Sequence, residues 1–243
     1  MNRFFTILLL MAAFYTQAQN EVDLMDTTRA NYSTKSIPQL RISIGVPSSG
    51  WEFISFPRLE SYLETYNAKP NLFCGYIPLQ VNLLYNRFKF DLGINYSTTG
   101  GDKSYGSFVS KSSANTATFT FGYAFLADRN NYFYLDGGIG YASYNQYITR
   151  VKSSSSNINY PLPNTIGQGV NFTQNQPFID FGIEYFNRTP QKSAGSSIKA
   201  GYRLGLSSTP WELRYSPSQD GLPSDKISNF YIQVMLHFGH KKL

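Results

Sequence analysis

The chain has 243 residues, a formal net charge of +6 and only 15% charged residues, while Tyr, Phe and Gly each occur 19 times. It carries no Lys/Arg cluster interleaved with aromatics, which excludes the usual signature of a nucleic-acid binder. The single cysteine, Cys74, cannot form an internal disulfide and reads as a small hydrophobe in the fold.

Residues 1–18 read as a signal peptide. Arg3 precedes the apolar run Phe4 to Tyr15, and Thr16-Gln17-Ala18 puts small residues at the two positions a signal peptidase reads. The run is roughly a dozen residues, short of the roughly 20 that a spanning helix needs. No cysteine sits at the cleavage point, and no other apolar run is long enough to cross a membrane as a helix. Cleavage leaves about 225 residues, enough for one sizeable domain, at a net charge of about +5 that suits anionic lipid headgroups. Residues 19–38 are polar and unpatterned and read as a flexible periplasmic arm. Within them Asp26-Thr27-Thr28 fits a short O-glycosylation pattern, a match that chance also produces.

From residue 39 the sequence alternates with a period of two, the mark of strands whose side chains point to opposite faces. The first predicted strand, 39–46, turns Leu40, Ile42, Ile44 and Val46 one way and Arg41, Ser43 and Gly45 the other. The second, 76–85, and the third, 88–97, meet at the two-residue joint Asn86-Arg87. The fourth and fifth form a hairpin from Thr116 to Gln146 in which Phe119, Phe121, Tyr123 and Phe125 oppose Thr118, Thr120, Gly122 and Ala124. The sixth, 177–186, seventh, 197–206, and eighth, 227–238, repeat the pattern. In each, one face is large and apolar and the other is small or polar. That division suits a narrow barrel with lipid outside and packed side chains within. Each run is near the roughly 9 to 11 residues of a tilted spanning strand.

The connections agree. Those at 86–87, 127–131 and 187–196 are the shorter ones and fall on the side of both termini, hence periplasmic. Those at 47–75, 98–115, 147–176 and 207–226 are long and fall on the other side. The expected fold is all-β, an eight-stranded antiparallel transmembrane β-barrel over residues 39–239, with a periplasmic tail at 240–243. An even strand count closes the sheet without an edge. The region resembles the small eight-stranded outer-membrane proteins, namely the OmpA transmembrane domain, OmpX and OmpW. Leu236 and Phe238 occupy the apolar places of their terminal assembly signal, with Gln233 where Gly is usual. The resemblance is architectural and implies the outer membrane of a Gram-negative cell.

The inward charges are Arg41, Lys89, Lys199 and Arg203 against Asp91, Asp136, Asp180 and Glu184. Four against four predicts interior salt bridges, with Glu184 facing Lys199 and Asp180 facing Arg203, and no conducting lumen. Only two histidines occur, His237 and His240, both at the periplasmic end. His237 is expected to hydrogen-bond near Arg41. No nucleophile elbow, phosphate loop or metal-ligand set is present, so no catalytic, cofactor or metal residues are assigned and no enzyme is expected.

The first long loop is unusually apolar, with Trp51, Phe53 and Phe56 followed by Leu59, Tyr62, Leu63 and Tyr66 at helical spacing. It reads either as a short helix over the barrel mouth or as a surface that docks a protein partner. The third loop, with Ser153 to Ser156 and Pro161-Leu162-Pro163, reads as mobile and polar. The functional expectation is a structural or accessory subunit of an envelope assembly, in contact with outer-membrane lipid and a protein partner at the cell surface. The alternative is OmpW-like passage of small apolar molecules; an outer-leaflet lipid-modifying enzyme ranks third.

Overall fold

The computed structural model describes residues 40–99, 103–128, 131–152, 162–163, 165–188, 194–214 and 221–242. The expected signal, the arm with Asp26-Thr27-Thr28 and the Ser153 to Ser156 run lie outside them. Residues 39–243 form a compact unit of their own.

In chain order the elements are β1 (Leu40–Ser55), α1 (Pro57–Glu64), β2 (Phe73–Tyr85), β3 (Phe88–Thr98), β4 (Lys103–Tyr105), β5 (Phe108–Ala127), β6 (Asn131–Arg150), β7 (Gly169–Arg188), β8 (Ala194–Gly205), β9 (Thr209–Pro210), β10 (Glu212–Leu213), β11 (Ser224–Asp225) and β12 (Ser228–Lys242). Eight of them close an antiparallel ring in the order β1-β2-β3-β5-β6-β7-β8-β12, with β12 returning to β1. Closure matters because an unpaired backbone N–H or C=O in hydrocarbon costs several kcal/mol. At the β2–β3 joint Asn86 takes a left-handed φ of 55°, a conformation Asn tolerates better than most residues.

The faces follow the sequence pattern. Leu79, Leu92, Phe119, Leu135, Ile139, Phe181, Ile198 and Phe230 stand on the exposed outer wall. Gln80, Asn82, Lys89, Asp91, Asp136, Asp180, Glu184, Lys199 and Arg203 are buried inside. A wall that is apolar outward and polar inward is that of an outer-membrane β-barrel.

The strands run further than the sequence suggested. β1 continues through the first expected loop to Ser55, and β5, β6 and β7 each span 20 residues. β12 reaches Lys242, through residues expected to be a tail. Beyond the membrane belt the contrast between the two faces fades, and apolar side chains join polar ones within. On β5 to β7 the outer face becomes Asn115, Ser113, Ser143, Asn145 and Asn175, while Ala114, Tyr144, Ile148 and Phe172 pack inward. Outside lipid, water takes the outer face, so the apolar burial moves within.

The two faces predict opposite responses to Arg. Phe121 and Ile232 stand on the outer wall, so Arg at Phe121, in the middle of the apolar run of β5, is expected to cost about 2–4 kcal/mol of refolding stability. Arg at Ile232, which pairs with Trp51 nearer the belt's edge, is expected to cost somewhat less. Arg at Thr118 or Thr120 disturbs interior packing without adding a lipid-exposed charge. Refolding of each variant into lipid vesicles measures the difference; equal tolerance at Phe121 and at the two threonines would contradict the face assignment.

Candidate functional site

The interior carries its chemistry in two polar layers beneath an apolar cap. The layer nearer the short turns gathers Lys89 from β3 with Asp91, Asp136 from β6, Glu184 from β7 and Lys199 from β8. Lys89 Nζ lies 2.8 Å from Asp91 and 3.2 Å from Asp136, and it also contacts Glu184; Lys199 Nζ lies 2.9 Å from Asp136. Gly122 makes room for this cluster: a Cβ there would fall 2.2 Å from the Asp136 carboxylate. Carboxylate oxygens of Asp91, Asp136 and Glu184 lie within 4.8 Å of one another, a spacing that suits a cation. The protein's own ammonium groups already supply that charge.

Glu184 does stand opposite Lys199 in the β7–β8 ladder, as the sequence predicted. Its carboxylate is also engaged from across the lumen by Lys89. Adjacent-strand reasoning could not see that pair, because a long lysine spans a narrow barrel. Beside this layer His237 meets Asn82 Nδ2 through Nδ1 and Ser197 Oγ through Nε2, both at 2.8 Å, and packs against the Phe186 ring at a 54° tilt, centroids 4.7 Å apart. The expected partner near His237, Arg41, is half-buried on β1 and pairs in the ladder with Leu84 and Lys242. This corrects the predicted contact: His237 stands opposite Gly45, four positions further along β1.

The layer nearer the long connections centres on Arg203. Its guanidinium reaches Asp180 at 3.4 Å and Glu52 at 3.0 Å, contacts the Tyr76 hydroxyl, and lies 4.4 Å from the Tyr231 ring centroid. Tyr231 donates to Asp180 at 2.8 Å, and Asn229 Nδ2 donates to Glu52 at 2.7 Å and to the Tyr144 hydroxyl at 3.0 Å. Gly201 permits the Tyr231 ring, whose atoms would lie 2.4 Å from a Cβ at that position. Asp180 and Arg203 face each other as the sequence indicated. Glu52 was missed because residues 47–75 were read as loop. With Glu52 buried and Arg41 only half-buried, the expected four-against-four balance gives way to three buried cations and five buried carboxylates among these residues. The alternation Trp51-Glu52-Phe53-Ile54 was the available signal.

The cap divides the predicted docking residues. Trp51 and Phe53 extend the outer wall of β1, at 48% and 47% exposure. Phe56, Leu59 and Leu63 are buried, with Ile54, Phe108, Phe172, Trp211 and Ile227, in one cluster inside the extracellular end of the barrel; Tyr62 and Tyr66 pack against its edge. Phe56, Leu59 and Leu63 are therefore unavailable to a partner, because the chain uses them to close its own mouth. Leu162, in the loop expected to be polar, belongs to the same cluster.

Asp225 of β11 pins the cap. Its carboxylate accepts from the backbone N–H of Arg58 at 2.9 Å and of Leu59 at 2.8 Å, and from Trp211 Nε1 at 2.8 Å. The first two are N–H groups that the opening turn of α1 cannot satisfy internally, and no side chain caps that turn locally. Phe56 and Trp211 meet edge to face at 5.7 Å. The helix is short and gains its order from this anchorage.

No protein-family model matches the sequence, and no curated protein matches it. Among solved structures, a major outer membrane protein from Thermus thermophilus is similar at 10% identity and a TM-score of 0.49, over 83% of this chain and 99% of that one. Ail of Yersinia pestis, solved with the heparin analogue sucrose octasulfate, shows 12% identity and a TM-score of 0.43, over 83% and 97%. Neisserial surface protein A shows 8% identity and a TM-score of 0.43, over 82% and 96%.

Asp225→Ala removes three hydrogen bonds to a carboxylate, each worth about 1.5–3 kcal/mol by the usual range for charged partners. Hydrogen exchange is expected to accelerate across residues 57–66 while the amides of β6 and β7 keep their protection. Unchanged protection of α1 would show that apolar packing alone holds the cap.

Proposed function

We propose that this chain is a closed outer-membrane barrel that serves as a structural or accessory subunit of an envelope assembly, not as a channel. The observation that carries the reading is the filled interior, two layers of buried ion pairs under a cap fixed by Asp225. An eight-stranded barrel leaves space that side chains can fill, and here large ones occupy it. The surface left for companions is the outer face of the extracellular strand extensions, with Trp51 and Phe53 where β1 leaves the belt. Gentle detergent extraction followed by mass spectrometry should recover a defined set of envelope proteins that Trp51→Ser with Phe53→Ser depletes. A chain that always travels alone would contradict the proposal. In planar bilayers the purified protein is expected to give no steady conductance; long-lived steps abolished by changing Arg203 or Asp180 would show a conducting lumen.

One observation favours the second reading, lateral passage of small apolar molecules. The β1–β2 ladder breaks between Gly45↔Gln80 and Trp51↔Gly75, and Pro47 and Pro78, which carry no N–H, lie in the two facing segments. Under that reading a Val46→Cys/Leu79→Cys pair, oxidised to a disulfide across the break, stops uptake into proteoliposomes and reduction restores it. Absence of uptake by the unmodified protein would remove this reading.

A further inference from the structure

Directly above the apolar belt, the outer faces of β5, β6 and β7 carry six uncharged polar side chains in two rows. Asn115, Ser143 and Asn175 make the lower row, and Ser113, Asn145 and Thr173 the upper, each paired strand to strand in the ladders. Amide and hydroxyl thus alternate both along the strands and across them. Among the described residues none of these six side chains has a hydrogen-bond partner. Asn is depleted from strands because its amide competes with the backbone ladder, so three at mid-strand positions point to a use for the side chains. A concavity of about 390 Å³ opens on the patch, within the roughly 300–1,000 Å³ of small-molecule sites. Ser113 and Asn145 line it together with Tyr96 and Tyr147.

Position and chemistry together narrow the occupant. Tyr96 closes the belt on β3 and Tyr141 on β6, so the patch begins where the hydrocarbon ends and continues the wall that lipid covers. Asn145 stands four residues beyond Tyr141. At about 3.4 Å per residue and a tilt near 40°, that is about 10 Å above the belt. Phospholipid headgroup layers are only about 5–7 Å thick on each side, so reaching Asn145 takes a taller headgroup. Lys111 and Arg214 also line the concavity but are engaged in interactions of their own, so recognition falls to the uncharged groups. A sugar ring meets these demands. Its hydroxyls donate and accept as amide and hydroxyl side chains do, and its C–H face packs on a tyrosine ring.

We propose that this patch binds the uncharged sugar rings of an outer-leaflet glycolipid, with Ser113 and Asn145 on the sugar hydroxyls and Tyr96 and Tyr147 beside the rings. Lipid is the source because β5, β6 and β7 carry acyl-facing side chains directly below, and the two surfaces are continuous. The patch lies apart from Trp51 and Phe53 of β1, so its failure would leave the accessory role untouched.

The test is native mass spectrometry of the full chain in a detergent without phosphate or sugar, with diglucosyl diacylglycerol as the probe. Phosphatidylglycerol with the same acyl chains is the comparison. Wild type is expected to retain the glycolipid at least about tenfold more strongly, a comparison that stands even if a variant fails to refold. Ser113→Val/Asn145→Val, which keeps residues that suit a strand, is expected to lose that preference. Ser55→Val/Ser228→Val removes the outward hydroxyls just above Phe53 and Phe230, a ladder pair of β1 and β12, and is expected to bind as wild type does. Equal retention of the two lipids by wild type, or an unchanged preference in Ser113→Val/Asn145→Val, overturns the proposal. Loss of the preference in Ser55→Val/Ser228→Val overturns its assignment to this patch. Displacement of the glycolipid by millimolar maltose overturns the lipid as the source.

Discussion

A sheet immersed in hydrocarbon cannot leave an edge, and the pairing of β1 with β12 that removes it sets the terms for everything inside. Once eight strands close, every second side chain is forced into a narrow space from which water is largely excluded. Charges placed there must find partners across the lumen as well as along the ladder. Lys89 does so with three carboxylates drawn from β3, β6 and β7, and Arg203 with two from β1 and β7. The glycines beside them are the corollary, since the Asp136 carboxylate and the Tyr231 ring occupy the volume a side chain at Gly122 or Gly201 would need.

The facing of each strand was legible because lipid and lumen impose opposite polarities at a period of two. Strand ends were not, and the reason lies in the solvent. Along β5 the inward series Thr120, Thr118, Thr116, Ala114, Ser112, Ser110 and Phe108 passes from polar to mixed, while the outward series passes from Phe121 and Phe119 to Asn115, Ser113 and Lys111. Where the two trends cross, the contrast between faces vanishes although the backbone remains extended. A reading keyed to an apolar outer face stops there. Pro47, Ser48, Ser49 and Gly50 hid the continuation of β1 for a different reason, because turn-forming residues there sit in an irregular stretch of a strand.

The interior pairs illustrate a second limit. Asp180 with Arg203 could be anticipated because they are ladder neighbours; Lys89 with Glu184 could not, because β3 and β7 meet only through the lumen. Asp225 was invisible for a related reason. Its two helix-capping hydrogen bonds go to residues 166 and 167 positions earlier in the chain, and nothing in its own neighbourhood marks it as the cap of a distant helix.

β5, β6 and β7 cross the membrane and enter water without interruption, held to one another by continuous ladders on both sides of the boundary. Such a wall has no joint at the cell surface. A pull applied to its outer tip along the strand direction loads many parallel hydrogen bonds in shear together, where a hinged ectodomain would peel from one end. The protein is thus built as a stiff post whose anchorage and exposed part share load, whatever it meets outside.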